Sequence, residues 1–411
     1  MKSRDFSSAL WILNKNTSSP DEGVQGTARF TGKRLELTIP IGCLLEKPPV
    51  NGVITYGTDP IEAPEAFGLC QTGERITLTE LSTPGPGFSS PGTKRENLTA
   101  TSALVCKTDF ISPNPNVQSL TLQVSGLWNW TGVDFNNITS TFENNEWIST
   151  SGTWCINDFE KLPLFKNENV DISLQPVLIE KGGHIPLQEF SIRSDVYLHI
   201  ELADHTTPLN TAMNRWVYPV WQMLTFCMGF RCSIDEIEIK TEDGLNALYY
   251  LPLIIGEEKP SEAQLDHMPL PYSFISQLHT NFLESWLHLD GDAKRAAITL
   301  IGIHNNSKIN WLNPMFTTVS GAFEAISRVG EKTQDIANNR LQRIKAQIEK
   351  CFEDDEDIRW ILQKVNNNIP PANYYANSLV KKLGPFADYI IPDKTRFLKD
   401  CLLYTSDAAD E

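Results

Sequence analysis

The chain has 411 residues, of which 41% are hydrophobic and 21% charged, and its formal net charge is −16. That length suits two or three domains, and that composition suits real hydrophobic cores and excludes long disorder. The acidity excludes nucleic-acid binding by bulk electrostatics, so any RNA contact needs a local basic patch or a partner subunit that builds one.

The first two hundred residues alternate apolar and polar, the period of a half-buried strand. Leu35, Leu37 and Ile39 share one face of a strand over 34–39, and Ile76, Leu78 and Leu81 mark another over 75–81. Further strands are predicted at 119–124, 171–174 and 196–202, with turn clusters such as Pro84-Gly85-Pro86-Gly87 between them. Short strands so punctuated predict a sandwich or an open barrel. The pattern then changes. Met213, Trp216, Val217, Val220, Trp221 and Leu224 recur at helical spacing, predicting a helix near 208–230 that Pro219 kinks and Gly229 stops. Two strands joined by Glu242-Asp243-Gly244 predict a hairpin near 234–255, and 256–271 reads as a linker. From Tyr272 the chain reads as helical. Stripes at 274–286, 315–326, 341–352, 358–365 and 379–386 predict an all-helical bundle that is incomplete at its end.

The fold class is therefore α+β: a β-rich domain over 1–260, with one helix and a hairpin near its end, then a helical domain over 272–400. Eight cysteines at wide spacing, with no C-x-x-C pair, read as reduced and mostly buried thiols rather than a disulfide framework or zinc site. No metal and no cofactor is expected. Trp11-Ile12-Leu13 is too short for a signal-peptide core. The most apolar stretch, 211–230, contains Asn214, Arg215, Pro219 and Gln222 and reads as a buried helix rather than a membrane span. A cytoplasmic protein is expected. Residues 401–411, from Cys401 to Glu411, match the conceptual translation of a transposase-type sequencing adapter, so the fold reading excludes them and expects the natural chain to continue past Asp400.

The order of parts resembles the ApeA family, which has a β-rich N-terminal domain followed by a HEPN domain. The resemblance rests on Gly23-Val24-Gln25-Gly26, the Leu35-Glu36-Leu37 strand, Thr72-Gly73-Glu74-Arg75-Ile76-Thr77-Leu78 and the helix from Trp216 to Phe230. In the helical part, Ala322-Phe323-Glu324-Ala325-Ile326-Ser327-Arg328 resembles the first long HEPN helix. The resemblance implies an antiviral, abortive-infection protein that senses a phage or host trigger. It also implies metal-independent cleavage of RNA at a homodimer interface by an Arg-x(4–6)-His motif.

The chemistry explains those residue types. Histidine can take a proton from a ribose 2′-hydroxyl near neutral pH, and arginine can stabilise charge growing on the attacked phosphate. Arg396 stands near the expected place, yet the last of the seven histidines is His304, so the chain as given would be inactive. The single Arg-x(4–6)-His match, Arg193 to His199, falls in a predicted strand. Glu324 could orient the arginine or simply pair with Arg328. His279, His288 and His304 show no metal-ligand spacing, and the acidic run 353–357 reads as favourable charge at a helix start. Lys381, Lys382, Lys394, Arg396 and Lys399 form a modest basic end that reads as a solvated face. The alternative is a non-catalytic binding protein, with a β-rich ligand-binding domain for a carbohydrate or protein and a helical dimerisation domain.

Overall fold

The computed structural model describes residues 4–6, 8–13, 23–41, 44–45, 62–82, 96–132, 136–143, 146–154, 161–181, 191–204, 206–252, 260–278 and 281–305, with short helical pieces at 318–319, 321–322, 342–343, 346–347 and 380–381. Two compact units form, residues 1–287 and residues 288–411.

The first unit begins with β1 (Arg4–Asp5), β2 (Ala9–Ile12), β3 (Val24–Phe30), β4 (Leu35–Ile39), β5 (Glu62–Cys70), β6 (Arg75–Ser82) and β7 (Glu96–Ala100). Strands β6-β5-β2-β3-β4-β7 are hydrogen-bonded neighbours, and Ser82 of β6 pairs with Thr99 of β7, so six strands close into a barrel. The expected open barrel or sandwich is corrected here. The apolar residues of the alternating strands point inward: Trp11, Phe30, Leu35, Leu37, Ile76 and Leu98 are almost wholly buried. Closure leaves these strands no free edge to manage.

Strand β6 is shared. On the side away from β5 it pairs first with β8 (Ser102–Cys106) and then with β7. The change of partner is made at Glu80, which has φ +49°, the one positive φ on a non-glycine residue among those described. Ile76 and Leu78 face the barrel core, and so does Leu81, which strict alternation would point outward. The irregularity at Glu80 resets the alternation. On the opposite strand Thr101 donates its N–H to the Thr79 carbonyl, and the inward set shifts from Leu98 and Ala100 to Ala103 and Val105. Left-handed backbone is costly for a residue with a Cβ. Glu80→Gly should therefore stabilise the unit by up to about 1 kcal/mol, and Glu80→Val should cost about 1–2 kcal/mol. Chemical denaturation compares the two, and the reverse order would contradict this account.

Beyond β8 the sheet opens out through β9 (Asn116–Val124), β12 (Leu162–Lys166), β13 (Val170–Lys181), β14 (Ser191–Leu202), β15 (Thr207–Pro208), β16 (Ile234–Thr241) and β17 (Asn246–Tyr250), in the order β8-β17-β16-β9-β14-β13-β12 with β15 beside β9. A separate hairpin joins β10 (Asn136–Glu143) and β11 (Glu146–Trp154). One face of the open sheet, including Leu120, Leu122, Leu198, Ile200 and Ile237, packs on helices: α1 (Leu127–Thr131), α2 (Leu209–Ala212), a π-helical turn at Met213–Val217, and α3 (Tyr218–Met228). The kink expected at Pro219 takes the form of that π turn. Tyr218 donates its N–H to the Met213 carbonyl, five residues back, just before the proline that cannot donate. Gly229 (φ +70°) ends α3 as expected and donates to the Thr225 carbonyl. The turn at Glu242-Asp243-Gly244 closes the expected β16–β17 hairpin, with Gly244 at φ +79°.

The stretch read as a linker holds α4 (Glu262–Asp266), started by a Ser261–Gln264 capping box, and then comes α5 (Tyr272–Ile275). Leu265, Met268 and Leu270 pack on the open-sheet core. The apolar stripe from 274 onward also belongs to this core, through Ile275, Leu283 and Trp286, the last two on α6 (Phe282–Leu287). Indole N–H groups fasten the tail: Trp130 donates to the Leu270 carbonyl (2.7 Å) and Trp286 to the Pro219 carbonyl (3.0 Å). In the second unit α7 (Gly291–Asn305) buries Ala296, Ala297 and Ile301 along one face. The predicted stripes over 341–352, 358–365 and 379–386 lie almost wholly outside the described residues, as do Glu324, Arg396 and residues 394–411.

Candidate functional site

The Arg-x(4–6)-His match can be tested directly. Arg193 and His199 both lie on β14, six positions apart, so about 20 Å of extended backbone separates them. That separation cannot bring both to a single phosphate. His199 instead meets its cross-strand neighbour Thr121, with Nδ1 3.1 Å from the hydroxyl oxygen. Burial, with Lys161 nearby, pushes His199 below the ordinary histidine value of 6.5. The folded chain then resists a proton that the unfolded chain accepts, so stability falls as pH falls below that value. His199→Gln should flatten this slope in thermal melts between about pH 7.5 and about pH 5.5. An unchanged slope would assign the acid sensitivity to other groups.

The face of the open sheet opposite the helices is polar. Tyr197, His199 and Glu201 alternate with buried Val196, Leu198 and Ile200. Gln123 Nε2 donates to Asp195 Oδ2 (2.7 Å), and the Val196 N–H donates to Asp195 Oδ1 (2.9 Å). Lys166 pairs with Asp171 at 2.7 Å. This is a hydrogen-bonding surface, not an activated nucleophile.

A second cluster sits at the barrel rim, and no local sequence signal announces it. Arg4 donates Nη1 to the Tyr250 hydroxyl (2.8 Å) and Nη2 to Glu74 Oε1 (2.7 Å). Its guanidinium lies 5.1 Å from the Phe6 ring centroid and 5.9 Å from that of Tyr250. Tyr250 packs edge-on against Phe6 (5.4 Å) and Phe30 (5.2 Å). Burial raises the Tyr250 phenol, which stays protonated and accepts from Arg4. These residues come from strands far apart in sequence, so only the folded barrel brings them together.

Cys70, Cys106, Cys227 and Cys232 are buried, and burial pushes Cys232 up to about 12. Among the described residues no three His, Cys, Asp or Glu side chains gather as a metal site, and no helix is long and apolar enough to cross a membrane. The proposed nuclease positions at and after Arg396 lie outside the described residues.

No curated protein and no solved structure matches the chain. The family model for ApeA N-terminal domain 1 matches residues 8–286, a span that takes in the barrel, the open sheet and the docked tail as far as α6. That match covers well over half of the sequence, and the chain belongs to the ApeA N-terminal domain 1 family.

Proposed function

We propose that this is a cytoplasmic antiphage-defence protein of the abortive-infection type. Its β-rich unit detects a phage or host trigger, and its helical part is a HEPN endoribonuclease that acts on RNA as a homodimer without metal. The observation that carries the defence role is the family match over residues 8–286. The nuclease assignment rests on the resemblance of the helical sequence to a HEPN domain and on the order of the two parts. Catalysis is assigned to an arginine at or after Arg396 and a histidine that follows it with four to six residues between them. The homodimer rests on the same resemblance, which implies a site at the interface of two copies, and because the chain is acidic that site needs a local basic patch to meet phosphate.

The gene supplies a direct test. Its sequence read on past the codon for Asp400 should encode an Arg-x(4–6)-His motif in a helix-compatible stretch. A natural sequence without one removes the nuclease reading and leaves the binding protein, in which the helical part only dimerises.

A further inference from the structure

We propose that the barrel rim beneath Arg4–Phe6 is an exchangeable strand site. It takes, in trans, an extended peptide with arginine two residues before phenylalanine, and the chain's own Arg4-Asp5-Phe6 is its resident occupant. The inference concerns the first unit alone and does not depend on a nuclease in the second.

The backbone contact is short. β1 pairs Arg4 with Phe30 and Asp5 with Arg29, and Phe6 donates one N–H to the Ala28 carbonyl. β2 then resumes at Ala9 opposite Gly26, a shift of one residue in register. The β2–β3 ladder therefore does not run on through β1, and side chains carry most of the recognition. The guanidinium is held between the Tyr250 hydroxyl and the Glu74 carboxylate and lies over two aromatic rings. Phe6 is 3% exposed, seated edge-on against Tyr250. The Asp5–Arg29 pair is solvent-exposed on both sides and adds little.

The receiving groups stand without the segment. Tyr250 belongs to β17, and Phe30 and the Ala28 carbonyl to β3, each fixed by its own sheet pairings, while Glu74 lies in the β5–β6 turn, where its carbonyl accepts from the Cys70 N–H at 2.8 Å. Glu74 and Glu236 both act on the Tyr250 phenol, so the receiving surface favours a cationic occupant. This is strand addition, in which main-chain bonds give affinity and side-chain seats give specificity.

The test uses a fluorescein-labelled peptide of residues 1–7 and two forms of the full chain. One is unaltered and the other carries Arg4→Ala and Phe6→Ala, which empties both seats. The peptide should bind the doubly substituted chain at least about tenfold more tightly than the unaltered chain, where the resident segment competes. A peptide with alanine in place of its arginine should bind about tenfold more weakly, as should the chain that also carries Glu74→Gln. Circular dichroism confirms the fold of each chain, and the single Arg4→Ala chain replaces the double one if that does not fold. A folded variant that binds the peptide no better than the unaltered chain overturns the proposal. Equal binding of the arginine and alanine peptides does so too.

Discussion

Trp11→Ala should cost the first unit about 3–5 kcal/mol, a large share of the roughly 5–15 kcal/mol that keeps an ordinary domain folded. The indole is fully buried in the barrel. Its cross-strand neighbours are Val24 on β3 and Gly68 on β5. Gly68 makes room for it: a Cβ there would stand 2.7 Å from Cζ3 and 2.8 Å from Cη2 of the ring. A Cβ on Gly26 would stand 3.1 Å from Cδ1. Two glycines on flanking strands thus let one large ring fill the barrel. Gly68→Ala should cost about 1–3 kcal/mol by overpacking, and less in a Trp11→Leu background, because the clash is with the ring. The Trp11 indole N–H has no acceptor among the described residues, a burden of about 1–3 kcal/mol on the folded state. Trp11→Phe removes that burden with part of the volume and should be much milder than Trp11→Ala. Urea denaturation at unchanged m-value measures all of these variants, with Trp11→Leu alone as the reference for the double substitution. Gly68→Ala within about 0.5 kcal/mol of the parent chain would show that the ring can move aside, contrary to this packing.

What was legible in the sequence was local. β4, β9 and β14 carry period-two alternation because one of their faces is buried over 35–39, 119–124 and 196–202. The helix over 209–228 and its stop at Gly229 were legible because periodicity and a left-handed cap are properties of adjacent residues. Barrel closure was not legible. It depends on Ser82 meeting Thr99 across an intervening segment, and pattern alone does not say whether a sheet curls shut. Glu80 was missed because glutamate gives no sign of a left-handed turn; the clue was Leu81 breaking the alternation of Ile76 and Leu78. The stripe through Phe282, Leu283 and Trp286 is legible as amphipathic, yet an amphipathic face does not name the core it covers. Here it covers the open sheet's core. The Arg4–Glu74–Tyr250 cluster joins residues 70 and 246 positions apart, beyond any local pattern.

The functional claim predicts the largest effect of all. A histidine acting as general base typically supplies about 10²–10⁴-fold in rate, so its loss should reduce RNA cleavage to that extent. The paired arginine stabilises charge on the phosphate, and its loss should be at least as severe. Residues 1–400 alone contain no histidine after His304 and should show no cleavage. The decisive measurement is cleavage of total cellular RNA in EDTA by the product of the gene read on past the codon for Asp400, beside the same protein with the histidine of its Arg-x(4–6)-His motif changed to alanine. The account predicts metal-independent cleavage by the first and loss of at least about a hundredfold in the second. Cleavage that survives the alanine substitution, or that residues 1–400 carry out alone, would contradict it.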